Sequence, residues 1–490
     1  MGARGRSSDF LDRRRNDAVQ VTAAGLCRTL TGFPDSPVGP VLLVGASGHL
    51  VPVVAHPSDH PVGLRAGSTA VSAHAVRGRR GLGSGVMSTT GAPRLAVVGI
   101  GADGWSGMPE PLQALVSGAG VLLGGDRHLE LVPPVEGQVR TPWPSPLRDA
   151  LPALLLGYAP RAVVVLASGD PMLSGIGTTL VELLGAEVVD VHPSVSSVAL
   201  ARARMGWSAE STDVVSVVGR DPRAVLRHLA PGHRVLVLSS DAGTPEGLAG
   251  LLVMAGYGGS AMTVLGDLGS ERESRISTTA RDWSGRGPDL NVVALELSGP
   301  VVGSWAGGLP DEVFENDGQL TRRDLRASAL ARLAPQPGEL LWDVGAGAGS
   351  VGIEWMRAHP TCRAIAVEAD EERATRIGRN AAALGVPALD VVTGHAPEAL
   401  VRLPKPDAVF VGGGATVAGL LSYCERSLRP GGRLVVHGVT LETEQTLAAA
   451  YARSGGELTR LCVERAAPLG GFTGWTPART VTQWAWSKPA

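Results

Sequence analysis

From Arg94 onward, short runs of apolar, largely β-branched residues alternate with stretches of helical periodicity, the alternation expected of an α/β architecture. The runs "RLAVV", "GVLLG", "AVVVLA", "EVVDV", "VVSVV", "RVLVLS", "MTVLGDL" and "LNVVALEL" predict the strands of a first domain over 91–298. The Gly/Pro-rich stretch from Ser298 to Pro310, "SGPVVGSWAGGLP", reads as a linker at 299–310. Beyond it, a second domain over 311–490 reads as strand "ELLWDV", a helix from Ser350, strand "RAIAVE", helix "DEERATRIGRNAAAL", strands "LDVVT" and "DAVFVG", a helix and strand "GGRLVVHGV". Six or seven strands alternating with helices predict an open parallel sheet with its ligand at the carboxyl ends of the strands.

Residues 1–90 lack this pattern. They carry the arginine clusters "DRRRND" and "RGRRG", no glutamate and little helical periodicity. They are expected to be a disordered extension or to lie upstream of a true start at Met87; the alternative is a small extra domain around "GPVLLVGASGHLVPVVAH". The 66 glycines and 35 prolines are spread between the apolar runs, which fits a loop-rich α/β protein rather than disorder. Positive charge is almost all arginine, with Lys405 and Lys488 the only lysines, so acidic groups would be gripped bidentately. A net charge of −2 argues against a general nucleic-acid binder. The cysteines, Cys27, Cys362, Cys424 and Cys462, show no C-x-x-C spacing, which predicts a reduced, cytoplasmic protein without a cysteine metal site. No apolar run reaches the length of a membrane span.

"VVGIGADGWSGMP" contains G-x-G-x-x-G at Gly99, Gly101 and Gly104, directly after a strand. A dinucleotide turn needs its third glycine to open a helix. Here Gly107, Pro109 and Pro111 are expected to delay any helix until about Pro111. Asp126, in "LLGGDRHLE", is the acid that a dinucleotide fingerprint would ask for, but two glycines separate it from the apolar run. A nucleotide turn and a tight turn without ligand both remain open on these residues alone.

The most specific stretch is "LLWDVGAGAGSVGIEW", a D-x-G-x-G-x-G run through Asp343, Gly345, Gly347 and Gly349, with Ala346 and Ala348 between. Glu368 ends the next strand, where a carboxylate can accept both hydroxyls of a ribose. The glycine turn, the acidic strand end and the strand pattern together resemble class I S-adenosylmethionine (SAM) methyltransferases, which implies a Rossmann-like C-terminal fold. The loop "FVGGGATV" lacks the Asn/Asp-Pro-Pro-aromatic signature of the amino-methylating nucleic-acid enzymes. "GLPDEVFENDGQLTRRDLRASALARL", "GHAPEALVRLPKPDAVFVGGG" and "RPGGRLVVHGVTLET" resemble the CbiT-type decarboxylating precorrin methylases, over about Gly308 to Ala490. That resemblance implies SAM contacts at Thr321, along Gly345 to Gly349, at Glu368 and at Ala396. His395 is a departure, standing where many class I enzymes carry an acid against the adenine.

In the first domain, "VVGIGADG", "ASGDPMLSGIGTTL", "HPSVSSVALARARMGW" and "SSDAGTPEGLAGLL" together resemble the tetrapyrrole methylase family, of the CbiE type. The implied fold is two-lobed, with SAM in the cleft between two α/β lobes. Gly99 and Gly101 then become cleft wall. Ser168, Gly169, Asp170 and Pro171 would form the loop beside SAM, Gly175, Gly177 and Thr178 would lie behind it, and Ser196 and Ser197 would be further contacts. Taken alone, "SGDP" is equally an ordinary Asp-Pro turn.

The two halves in one chain resemble the fused, CobL-type precorrin methyltransferases (decarboxylating). The resemblance implies methylation of precorrin-6B at C5 and C15 with loss of CO2 from the C12 acetate, giving precorrin-8 in cobalamin biosynthesis, and a homo-oligomer with no nucleic-acid or membrane partner. Such chemistry asks mainly for alignment and exclusion of water, because a meso carbon of the macrocycle is already nucleophilic. The peripheral acids would want arginines, and "TRRDLR" offers Arg322, Arg323 and Arg326, unless these form a solvated helix face. His128, His192 and His437 read as turn or core residues, and no metal site is expected. Left open are a cobalt-bearing substrate, another small molecule or RNA as methyl acceptor, and a SAM-sensing module without turnover.

Overall fold

A computed structural model describes residues 95–158, 161–301 and 305–490, together with the backbone of an antiparallel strand pair, β1 (Leu42–Val44) and β2 (Leu50–Pro52). The rest of 1–90, including the expected extension and the start at Met87, lies outside the described residues. Met1–Val86 and Met87–Ala490 are separate units, and the second holds everything that follows.

The first sheet is built from β3 (Leu95–Ile100), β4 (Val121–Gly124), β5 (Val139–Pro142), β6 (Val163–Ser168) and β7 (Val189–His192). Its order is β5-β4-β6-β3-β7, and every pairing is parallel. β3 and β4 are buried along their whole length, as parallel strands covered on both faces must be. The connecting helices are α1 (Gly104–Gly107), α2 (Glu110–Ser117), α3 (Asp126–Glu130), α4 (Leu147–Gly157) and α5 (Ile176–Leu184). Thus Gly104, in the left-handed region at φ +64°, does open a one-turn helix, earlier than the expected start near Pro111. The prolines only confine that helix to a single turn, with α2 starting beyond Pro109.

α6 (Ser197–Met205) leads into the second lobe: β8 (Thr212–Ser216), β9 (Arg234–Leu238), α7 (Thr244–Met254), β10 (Ala261–Gly266), β11 (Ser274–Thr279) and β12 (Asn291–Glu296). Its sheet order is β11-β10-β12-β9-β8, parallel only between β8 and β9. β11, half-exposed and rich in Ser, Thr and Arg, gave no apolar run by which to recognise it.

The C-terminal domain runs α8 (Arg323–Leu333), β13 (Leu340–Val344), α9 (Ser350–Ala358), β14 (Arg363–Glu368), α10 (Glu371–Ala383), β15 (Asp390–Thr393), β16 (Ala408–Val411), α11 (Leu420–Ser427), β17 (Arg433–Gly438) and α12 (Leu441–Ser454). It closes with β18 (Glu457–Leu461), the hairpin β19 (Glu464–Leu469) and β20 (Phe472–Pro477), and β21 (Val481–Ser487). The sheet order is β15-β14-β13-β16-β17-β21-β18. The five strands from β15 to β17 are parallel, but β21 runs antiparallel to both neighbours, so the sheet is mixed rather than the expected open parallel one. Trp342, Trp355 and Trp484 are fully buried on its two faces. Strand order reverses at β13, flanked by β14 and β16, which opens a crevice at the carboxyl end of β13.

Candidate active sites

The crevice at β13 is a cavity of about 760 Å³. Its floor is the glycine loop. Gly345 has φ +65°, and a Cβ there would stand 2.9 Å from the backbone nitrogen of Gly413. Gly347, at φ +59°, would place a Cβ 2.6 Å from the carbonyl oxygen of Gln319. Only glycine meets both demands, so the loop lies flat and leaves its backbone open to a ligand. Glu368 is held beside it: its Oε2 accepts from Gly347 N at 2.8 Å, and its Oε1 from Ala369 N and Asp370 N at 3.1 and 3.2 Å. The buried carboxylate is therefore oriented and still has acceptor capacity toward the cavity.

Thr321, Gly345, Ala346, Gly347, Glu368 and Ala396 all line this cavity, as does His395. Asp343, Ala348 and Gly349 do not: each is buried behind the loop. Asp343 braces the start of α9, its Oδ2 accepting from Gly352 N at 2.9 Å while Oδ1 is buried without a partner. Burial, and after it the nearby Glu368, pushes its carboxyl up to about 7.

The arginine cluster divides. Arg322 lines the cavity and Arg323 does not. Arg326 is fully buried, so it is neither an anchor for a substrate acid nor part of a solvated face. Its Nε donates to Glu354 Oε1 at 2.5 Å and its Nη1 to Asp311 Oδ1 at 3.2 Å, and Phe314 packs against the guanidinium. It also donates to the carbonyls of Leu309 and Thr321. Arg326 thus ties the segment that carries Thr321 to α8 and α9. The cations facing the cavity beside Arg322 are Arg373, Arg465 and Arg479, which the sequence reading did not single out. Arg373 is paired with Asp317 at 2.8 Å and Arg465, from β19, with Asp324 at 3.3 Å, while Arg479 comes from the approach to β21.

His437, left as a turn or core residue, sits at the end of β17 in the cavity wall, edge-on to Phe410. Burial pushes its imidazole down to about 4. With its amide nitrogen facing His437 Nε2 at 2.8 Å, Gln483 also accepts from Arg332 Nε at 2.9 Å. His437 is therefore a neutral acceptor with a fixed tautomer.

The second cavity, about 280 Å³, lies between the two N-terminal sheets. Gly101, Ser168, Gly169, Asp170, Gly175, Ser196 and Ser197 line it from the first-lobe side, and Ser216, Ser239 and Asn291 from the other. Gly99 does not line it. A Cβ there would fall 1.9 Å from the carbonyl oxygen of Gly169, so this glycine lets β3 carry the 168–171 loop. Pro171, Gly177 and Thr178 likewise stand behind the wall, with Gly177 N donating to Pro171 O at 3.0 Å and Thr178 Oγ1 to Met172 O at 3.2 Å. The Asp170 side chain is spent on an Asx turn, accepting from Met172 N at 2.9 Å. Ser196 caps α6, accepting from Ala199 N at 3.1 Å, so its hydroxyl is committed to the helix.

Neither cavity holds a cluster of metal ligands among the described residues. Among the described residues, the one grouping with metal-ligand spacing is Asp213, His228 and His233, away from both cavities. No helix among the described residues is long and apolar enough to cross a membrane.

Two family models match the chain, tetrapyrrole (corrin/porphyrin) methylases over 94–283 and a precorrin methyltransferase domain over 312–488. The chain is 46% identical over 403 residues to a precorrin-6Y C(5,15)-methyltransferase [decarboxylating] of Sinorhizobium sp, covering 81% of this chain and 97% of that one. The protein of the same name from Mycobacterium tuberculosis is also 46% identical, over 80% of this chain and 100% of its own length. A cobalt-precorrin-6B C(15)-methyltransferase (decarboxylating) of Salmonella typhimurium is 32% identical over 33% of this chain and 86% of its own length.

Proposed function

The chain belongs to the precorrin-6Y C(5,15)-methyltransferase (decarboxylating) family, enzymes of SAM-dependent methylation and decarboxylation in cobalamin biosynthesis, and from this we propose a division of labour between its two cavities. The cleft between the N-terminal lobes methylates C5 of precorrin-6B. The C-terminal cavity methylates C15 and releases CO2 from the C12 acetate, giving precorrin-8. The observation that carries this reading is the presence of two separate glycine-walled cavities at strand carboxyl ends, one in each half. The name of the Salmonella protein, 86% of which is matched by about a third of this chain, joins C15 methylation and decarboxylation in one activity, which supports giving both to a single half.

The residues fit SAM in both places. In the C-terminal cavity, the flat loop Gly345 to Gly347 and the oriented Glu368 would hold it, with Thr321 and Ala396 alongside. In the cleft, the backbone of Ser168, Gly169 and Asp170 with Ser197 would do so. SAM supplies an activated methyl group. The chain's own residues exclude water, fix the macrocycle and hold its acids. His437 is a neutral imidazole whose Nε2 is taken up by the Gln483 amide, so it stands in the wall with a fixed tautomer. Arg322, Arg465 and Arg479 are suited to carboxylates not taken up by the reaction.

The test is incubation with SAM and metal-free precorrin-6B, followed by the product mass. Gain of two methyl groups with loss of one CO2 is expected. An unchanged substrate would contradict the proposal, and turnover of only the cobalt-bearing substrate would move the enzyme to the cobalt route.

A further inference from the structure

The stretch "GGDRHL", first met as a weak dinucleotide signal, places Arg127 and His128 at the start of α3, in the wall of the N-terminal cleft. There they meet Ser168 from the end of β6. Arg127 Nη2 stands 3.1 Å from Ser168 Oγ and 2.9 Å from His128 Nε2, and His128 Nε2 stands 2.7 Å from Ser168 Oγ. Arginine can only donate, so His128 Nε2 must be an acceptor and the ring neutral. Burial, and after it Arg127 itself, holds this imidazole down at about 4, in keeping with that assignment. Ser168 therefore accepts from Arg127 and donates to His128, and the three groups fix one another.

The fixed guanidinium is short of an anion. Among the described residues, no carboxylate lies within ion-pair distance of Arg127. Asp267 acts on it only at longer range and stands 3.6 Å from Arg272 instead. Asp170, the acid of the cleft wall, is turned onto Met172 N. Arginine has five donors, of which the two on Nη2 are used and the three on Nε and Nη1 are spare. A preorganised guanidinium with spare donors, a neutral imidazole and a serine, in the wall of an apolar cavity, form a receptor for a single carboxylate.

We propose that Arg127, positioned by His128 and Ser168, binds a carboxylate of a ligand in the N-terminal cleft, and that this carboxylate is a peripheral acid of the tetrapyrrole. The choice of the tetrapyrrole rests on the function proposed above; the carboxylate chemistry does not. The other source of the same group is the amino-acid end of SAM.

Two binding measurements on the full chain separate these sources without relying on turnover. One is fluorescence anisotropy of a stable porphyrin carrying peripheral acetates and propionates; the other is calorimetric titration of SAM. Arg127→Ala is expected to weaken the porphyrin at one of its sites by about 10- to 100-fold, the range for a lost charge-assisted hydrogen bond. SAM affinity should be unchanged, and Arg127→Lys should recover part of the porphyrin binding. Arg223→Ala, an exposed arginine paired with Asp221 outside either cavity, should change neither. His128→Gln, which keeps an acceptor, should cost less than His128→Leu. Loss of SAM affinity with porphyrin binding intact would support the carboxylate receptor and assign it to SAM. No change in either ligand for a folded Arg127→Ala would overturn the proposal. Failure of the wild-type chain to methylate precorrin would remove the function proposed above and leave these affinities to decide the receptor.

Discussion

The two halves reach similar cavities by different physical means. Among the described residues, the polar or charged side chains buried in the N-terminal lobes are small ones, Thr212, Ser216, Ser260, Thr263 and Asn291. The C-terminal domain buries Arg326, Asp343, Glu354, Arg357, Glu368, Arg376 and His437. In the first half the cavity is made by two sheets facing each other, so walls that already exist enclose the ligand. In the second, one sheet supplies only a floor, and the cover must be tied down from outside: the segment carrying Thr321 is held to α8 and α9 through Arg326, Asp311 and Glu354. A one-sheet site needs buried ions to fix its lid segment, and a two-sheet site does not.

The largest effect that would break this contrast is at Arg326. Its replacement by alanine leaves Glu354 buried without its cation, while Asp311 keeps Arg322 at 3.7 Å; stranding a buried charge in this way typically costs about 3–5 kcal/mol. In urea, the C-terminal transition should move to lower concentration while the N-terminal one stays. Equal shifts of both, or no shift, would show that the ion network does not set the two halves apart.

A smaller effect sharpens the same contrast through pH. The Asp343 carboxyl stands at about 7 in the folded chain, against an ordinary value of 3.8. Between these values the unfolded chain has released the proton and the native chain keeps it, so stability contributed at this site falls as pH rises through the window and levels off above it. Asp343→Asn keeps an acceptor for Gly352 N and removes the titration. The C-terminal urea midpoint of the variant should gain on wild type between pH 5 and pH 8, with no such change in the N-terminal transition. Parallel behaviour of variant and wild type would contradict the assignment.

How much of this was legible depended on whether the determinants lay side by side in the chain. The glycine loop from Gly345 to Gly347 and the end of β14 at Glu368 are contiguous with buried strands, so their residues pointed to the crevice directly. The loop's depth was not legible: Asp343 still belongs to buried β13, and Ala348 and Gly349 enter the core where the loop meets α9, so only its middle stays open. Arg326 looked like its neighbours because its partner Glu354 lies 28 residues away. β19 and β20 are exposed along most of their length, so no apolar run announced the strand that brings Arg465 to the cavity. In β21, Thr482 and Gln483 are buried in a strand whose polar content hid it. His128 and Arg127 were passed over because what gives them meaning, Ser168, is 40 residues further on.

The most direct test of a reaction divided between two independent sites is the product mass from two glycine variants. Gly99→Ala drives a Cβ into the Gly169 carbonyl of the cleft loop, and Gly345→Ala drives one into Gly413. A misplacement of this size costs on the order of 10²-fold in rate. From metal-free precorrin-6B, Gly99→Ala should yield a product with one methyl gained and CO2 lost, and Gly345→Ala a product with one methyl gained and CO2 retained. In each variant, the surviving half reports that the chain has folded. Loss of both methylations in either variant, with SAM still bound at the untouched site, would contradict two independent sites and replace them with one obligatory sequence.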